Sequence, residues 1–490
     1  MTAMVGGMKN KLRIAAGVAV SAALVGYAAT SVISPASSAA ASSRPPACAA
    51  PALPIGQPSA ASGSGGPAAP QPAPLKPTTI ATIEQAYYCM FDHYYRGSVL
   101  DDRTLLVPAF AALTQELQRR GLDQSQATMP ALTVGRDADW AAFSRAYQKI
   151  AAKLPEDPAL RQAVAEVTLS GMVAALGDNH ARWTRLPQQR SLLGLQFSGF
   201  HADGIDPAGT APIFVTAVAP GSGAQSAGIK PGDVVVAVNG VPLIVNGIVS
   251  EGVTAWLRTA SAGQPVQLTL RRPVTGMTFT TTVNPVAFAQ ASPTAETKLL
   301  PGDLAEVTIP SFYPGVADQV LNAIAELRKN TTLRGIILDL RGNGGGSGAE
   351  LVRLLGAFVH GKTTSYWCDV RDHCTANHPD DTVPLLNLPL VALTDRGCAS
   401  ACDSFASAVK DLHLGTLVGT RTAGLVSGPA LPYLLDDNSE LMLPFFREIG
   451  ANREIVDTIG VAPDHVAPMT AADLSAGRDP GLAKALTLLR

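Results

Sequence analysis

The chain has no large excess of either charge. Lys and Arg number 37 against 39 Asp and Glu, a net charge of −2. No basic surplus points to a nucleic-acid partner, and that class is set aside. No Gly-Lys-Ser/Thr follows the glycine cluster at Asn343–Gly348, which argues against a nucleotide-phosphate loop. The cysteine pair Cys398 and Cys402 has no further ligands at a spacing that would complete a zinc site. No metal or other cofactor is implied. Residues 41–78 are dominated by Ala, Pro, Ser and Gly and have almost no large apolar side chains. Such a stretch cannot build a core, and it reads as a flexible tether.

The tether follows an unusual beginning. Lys9, Lys11 and Arg13 precede an apolar run, Ile14 to Ile33, and small residues surround Ser37 to Ala40. Residues 1–40 therefore read as an export signal, or as an uncleaved membrane anchor because the run is long for a signal core. No lipobox precedes Cys48. Either form places the folded body outside the cytoplasm, in the periplasm, cell envelope or medium. Six cysteines in an exported chain suggest disulfides, and six allow 15 pairings. Cys368 and Cys374, close together in a polar stretch, are paired first. Cys398 and Cys402 are either a bridge or two buried thiols.

Past the tether, residues 79–190 are helical by pattern, with stretches such as Trp140 to Leu154 and Ala159 to Leu176. They end in Ala175-Leu-Gly-Asp-Asn-His180. From Ala295 on, strands alternate with helices: Leu304–Ile309, Val316–Arg328, Gly335–Leu340, Ala349–Val359, Leu390–Leu393, Ser400–Leu412 and Thr416–Gly419. That alternation predicts an α/β core with crossover connections over 295–490. Leu482 to Leu489 is expected to form a terminal helix.

Two segments of this core carry chemistry. In Leu390–Leu412 an apolar β-prone run meets a polar turn at Asp395, Arg396 and Gly397, and Ser400 then opens an amphipathic helix. A serine there sits among unpaired helix N–H groups that can stabilise an oxyanion, although the same position also suits a plain N-cap. In Leu333–Leu355 a buried strand runs into Gly344-Gly-Gly346, where the backbone can approach a reacting group closely.

Asp339-Leu-Arg341-Gly-Asn343-Gly-Gly-Gly346 resembles the glycine-rich signature of the S41 peptidases, the tail-specific and tricorn-type serine proteases. Gly397-Cys-Ala-Ser400-Ala-Cys-Asp403 is similar to the nucleophile turn of that family, and Leu417–Gly424 and Gly460-Val-Ala-Pro-Asp464 resemble two further motifs. Residues 191–288 resemble a PDZ domain, chiefly through Val215–Ala224 and Ala227–Gly240. The resemblance implies a multidomain α/β protein: an N-terminal helical domain, a PDZ-like β-rich domain and an α/β crotonase-like (ClpP-like) catalytic core. It also implies a serine peptidase that cleaves polypeptides.

The resemblance assigns roles as well. Ser400 would be the nucleophile, and the backbone N–H groups of Gly346 and Ala401 the oxyanion hole. Where tail-specific members carry their lysine base this chain has Leu425, so the tricorn-type base, His180, takes its place. Lys410 lies nearer in sequence but matches no motif. Asp457, where those enzymes usually have glutamate, would orient the imidazole, with Glu454 as a substitute. Leu193, Gly194, Leu195 and Phe197 resemble the PDZ loop that receives a peptide C-terminus, by adding the peptide as a strand at a sheet edge. The departures at Leu425 and Asp457 leave two rivals open: a catalytically weak homologue that binds peptides or small apolar ligands, and an envelope scaffold working through the PDZ domain.

Overall fold

The computed structural model describes Cys48, residues 74–133 and 135–185, most of 193–286, and 294–490. The apolar run Ile14 to Ile33 and nearly all of the tether lie outside the described residues. Among the described residues, no helix is long and apolar enough to cross a membrane.

Four helices come first: α1 (Ile80–His93), α2 (Asp102–Arg119), α3 (Arg136–Ala151) and α4 (Pro158–Ala174). Their starts are set locally. Thr79, Asp101 and Asp157 accept orphan N–H groups of α1, α2 and α4, and Pro158 occupies the first turn of α4, where no N–H is needed. Ile83, Tyr87, Leu105, Leu113, Phe143 and Leu169 are fully buried between them. This core is not closed by the helices alone. Tyr433, Leu435, Leu441 and Leu443, from far later in the chain, complete it. The bridge Cys48–Cys89 ties the tether to α1.

After α4 the chain turns through Asp178–His180 into strand β1 (Arg182–Thr184). The PDZ-like region follows. Strand β2 (Leu195–Phe197) pairs antiparallel with β3 (Val215–Val218). Strands β4 (Val234–Val238), β5 (Val241–Pro242), β6 (Val266–Arg272) and β7 (Met277–Val283) form a sheet in the order β7-β6-β4-β5. Asn239 and Gly240, both at positive φ, make the tight turn from β4 to β5. Leu193, Val215, Val235, Leu268 and Val283 fill this core.

The α/β core is a six-stranded sheet. Its strands are β8 (Glu296–Leu300), β9 (Leu304–Thr308), β10 (Gly335–Asp339), β13 (Leu390–Thr394), β14 (Thr416–Gly419) and β18 (His465–Val466), in that order. Only β8 runs antiparallel. Every residue of β10 and of β13 is buried, as expected of parallel strands covered on both faces. Helices α5 (Val316–Asn330), α6 (Gly348–Gly356), α7 (Ala401–Asp411), α8 (Ala471–Ser475) and α9 (Pro480–Leu488) complete the core. Between β10 and β13, β11 (Ser365–Cys368) and β12 (Cys374–Asn377) form a hairpin closed by the Cys368–Cys374 bridge. Hairpin β15 (Ala430–Leu434) and β16 (Glu440–Pro444) reaches back to the helices, with β1 on the edge of β16. Strand β17 (Arg447–Gly450) pairs with β11.

Candidate active site

The glycine loop leaves the C-terminal end of β10, and the Ser400 turn leaves the same end of its parallel neighbour β13. Loops at the carboxyl ends of adjacent parallel strands are where α/β sheets build their sites. Asp395, at the end of β13, ties the two loops together: one carboxylate oxygen accepts the N–H groups of Gly342 and Gly397, each at 2.8 Å. Burial pushes its carboxyl up from the usual range. The Ala399 N–H donates to the Asn343 carbonyl at 3.0 Å, a second tie.

Gly345 shows why a glycine is needed here. Its φ is +90°, and a Cβ would lie 2.6 Å from the Ala399 oxygen and 2.7 Å from the Ser400 Cβ. The Gly345 carbonyl accepts the Phe312 N–H at 2.8 Å. In a trans peptide the N–H lies opposite the C=O, so the Gly346 N–H points away from Phe312. Among the described residues, neither the Gly346 nor the Ala401 N–H has a hydrogen-bond partner.

Ser400 has φ 56° and ψ −120°, outside the regions open to ordinary L-residues. Its backbone is held from two directions. The Ser400 N–H donates to the Leu425 carbonyl and to an Asp403 carboxylate oxygen, each at 3.0 Å. Asp403 also accepts the N–H groups of Gly424 at 2.9 Å and Leu425 at 3.0 Å. Burial raises its carboxyl to about 6, opposed by these bonds. Cys398 and Cys402 are joined as a bridge spanning the serine.

His180 arrives from the turn after α4, 220 residues away in sequence. Its Nε2 is 3.1 Å from Ser400 Oγ. Its Nδ1 is 2.6 Å from Asn179 Oδ1 and 3.0 Å from Ser427 Oγ. The Asn179 amide orientation follows from its other end, where Nδ2 donates to Asp457 Oδ1 at 2.6 Å. An amide oxygen only accepts, so Nδ1 carries the proton and Nε2 is free to accept from the serine hydroxyl. Asp457 thus reaches the imidazole through one intervening amide. Burial raises its carboxyl, while bonds from Asn179 and Val426 oppose the rise.

The other acid and base considered in the sequence lie elsewhere. Glu454 bonds Ser407 Oγ at 3.0 Å and pairs with Asp411, facing α7 and not His180. Lys410 stands about 15 Å along the helix from Ser400, at ~1.5 Å per residue. Its Nζ donates to the Ala462 carbonyl at 2.6 Å. Leu425 contributes only its backbone to the serine turn. In the PDZ-like region Leu193 is buried, Gly194 has φ +76°, and Leu195 and Phe197 lie on β2, whose recorded partner is β3.

Asp403, Asp178 and Ser427 also stand at the site, without a motif role in the sequence. Asp403 is an acid at the third helical position, a place too common for acids to mark it. Asp178 and Ser427 are joined only by folding.

A serine within hydrogen-bond reach of a histidine, at the carboxyl end of a mostly parallel sheet and beside a glycine loop, is the arrangement of a serine hydrolase. Residues 303–467 match the model of peptidase family S41, and residues 214–272 that of a PDZ domain. The chain is 29% identical over 341 residues to the chloroplastic C-terminal processing peptidase of Tetradesmus obliquus, covering 64% of this chain and 69% of that one. It is 25% identical over 338 residues to the carboxy-terminal processing protease CtpA of Bacillus subtilis (strain 168), covering 67% and 68%. In fold it is similar to the crystal structure of mature CPAF, with TM-score 0.51 over 83% of this chain and 95% of that one, at 15% identity. The α/β core thus carries the match to peptidase family S41, and a PDZ domain lies ahead of it; the chain is a serine-type peptidase, a hydrolase of peptide bonds.

Proposed function

We propose that this chain is an exported peptidase that cleaves polypeptides with Ser400 as nucleophile and His180 as general base. The observation that carries this reading is the 3.1 Å approach of His180 Nε2 to Ser400 Oγ on a strained turn. A serine hydroxyl is a weak nucleophile until a base takes its proton. His180 takes that proton as Ser400 attacks the scissile carbonyl, and then gives it to the leaving amine. The N–H groups of Gly346 and Ala401 hold the oxyanion, and water completes the cycle on the acyl-enzyme. Asp457, acting through Asn179, orients the imidazole and balances its transient charge.

The β2 edge and the Leu193–Gly194–Leu195 backbone would receive the substrate's C-terminus. Export is supported by the basic and apolar start of the chain and by three disulfides that leave no free cysteine. An uncut Ile14–Ile33 run would tether the enzyme to a membrane.

A fluorophosphonate probe tests the nucleophile. It should label the wild type and leave Ser400→Ala unlabelled. Equal labelling of both removes Ser400 from the mechanism. His180→Ala should keep the fold and lose most turnover. Wild-type turnover in that variant removes the histidine base.

A further inference from the structure

We infer that Ser427 and Asp178 form a second support for His180, beside that of Asn179 and Asp457, and act as positioning residues. This rests on the reading of His180 as the base.

The geometry is specific. Ser427 Oγ lies 3.0 Å from His180 Nδ1 and donates to Asp178 Oδ1 at 2.7 Å. A hydroxyl has one proton, so giving it to Asp178 turns a lone pair toward the Nδ1–H. Asp178 is itself held. Its Oδ1 accepts the backbone N–H of His180 at 2.9 Å, and its Oδ2 accepts the Tyr94 hydroxyl at 3.0 Å. Ser427 is buried, and its own N–H donates to Asn179 Oδ1 at 3.4 Å. The two supports therefore meet at one atom. Nδ1–H faces two oxygens, each backed by a carboxylate one group away: Asp457 behind Asn179, and Asp178 behind Ser427. When the imidazole takes the Ser400 proton it becomes a cation, and both carboxylates favour that form.

The Ser427 arm differs from the Asn179 arm in kind. Asp178 clamps the backbone of the histidine and, through Ser427, its ring. It couples where His180 sits to how the ring is turned. Tyr94, the residue that ends α1, fixes the far oxygen, so the arm is anchored in the helical region, whereas Asp457 is anchored in the α/β core.

The charged and titratable groups around His180 are Asp178 on its own turn, Asp457 on the loop before β18, Tyr94 and Tyr95 just after α1, and Asp403 behind Ser400 on α7. Arg96 and Arg447 act on Tyr95. Only the first two carry a carboxylate linked to Nδ1. Asp403 is unchanged in every variant below, so its titration is common to all of them.

The test is the pH profile of kcat/KM on full-length protein. Asp178→Asn keeps an oxygen for the His180 N–H and the Ser427 hydroxyl and removes the charge. Without that charge the imidazolium is less favoured, so the acid limb should move to lower pH, by roughly half a unit to one unit. Ser427→Ala should move it the same way and lower kcat about tenfold with KM held. The double variant should be no worse than the worse single, because one arm is cut twice. Ser427→Thr, which retains a hydroxyl, should restore the limb. A limb at the wild-type position in both single variants overturns the inference, whether or not kcat falls, because packing alone would not move it. His180→Ala separates the two claims. If it is inactive while both single variants keep the wild-type limb, this inference fails alone. If it turns over normally, the base assignment fails and this inference goes with it.

Discussion

Ser400 occupies a backbone conformation that an L-residue reaches only when its surroundings impose it. Asp403 is the chief of those surroundings, and it makes a pH-dependent prediction. Its carboxyl is raised by burial from 3.8 to about 6. The folded state therefore holds its proton more tightly than the unfolded chain does. The stability this group contributes is full below pH 3.8 and is lost as pH rises through 6. Between these limits the difference is about 3 kcal/mol. Asp403→Asn removes the titration. Urea unfolding of both proteins should show the wild type losing that amount relative to the variant between about pH 4 and 6, with no further change above. A gap independent of pH refutes the assignment. At neutral pH the variant should also turn over at least tenfold more slowly, because an amide cannot accept three N–H groups as a carboxylate does. At this scale Ser400 was legible because strand, polar turn and helix follow one another in sequence. Asp403 looked like any acid in a first helical turn. Ser427 and Asp178 lie 249 positions apart, and a lone serine and aspartate carry no pattern that links them.

The elements around the site divide by how local their causes are. Strands β10 and β13 are readable as short, mostly apolar, β-prone runs, and α7 as an amphipathic repeat beginning near Ser400. Their adjacency was not, because the β11–β12 hairpin and the loops around it intervene between the two strands. The glycine loop was recognisable from its composition, but the role of each glycine depends on what packs against it. Gly345 is the most constrained: its φ is +90°, and the Ala401 N lies only 2.9 Å from where a Cβ would be. Gly345→Ala should therefore push the loop off the serine turn and displace the Gly346 donor. Loss of one oxyanion donor costs about 10²–10³ in rate, so kcat should fall at least that far while thermal unfolding moves only a few degrees. A variant with kcat within tenfold of wild type would show that the loop can yield without moving its donor. The Cys398–Cys402 bridge restrains the same turn from the other side. Spacing alone left it undecided between bridge and thiols, and the fold brings the two sulfurs together.

Over the whole molecule, the domains that composition separates are not separable in space. The helices share their core with hairpin β15–β16, β1 lies on the edge of β16, and Trp183 donates to Ser439 at 2.7 Å. That strand pairing is what brings His180 to Ser400. The PDZ-like region is also seated, with Phe214 and Val234 packed on Ala471 and Leu474 of α8. Gly232 lies so close to the Ser475 backbone that a Cβ would meet its nitrogen at 2.5 Å. The domain that carries β2 is therefore in direct contact with the α/β core. If the Leu193–Gly194–Leu195 backbone receives a terminal carboxylate, a peptide with a free C-terminus should have a lower KM than the same peptide amidated, at similar kcat, because the contact is made equally in ground and transition states. Gly194→Ala provides the control. Gly194 has φ +76°, and a Cβ there would strike the Ser222 side chain, so the loop must move. In that variant the acid and amide peptides should converge to the KM of the amide, while kcat stays near wild type because Ser400 and His180 are untouched. Equal KM for acid and amide in the wild type would rule out C-terminal recognition and leave the PDZ domain a packing role against α8.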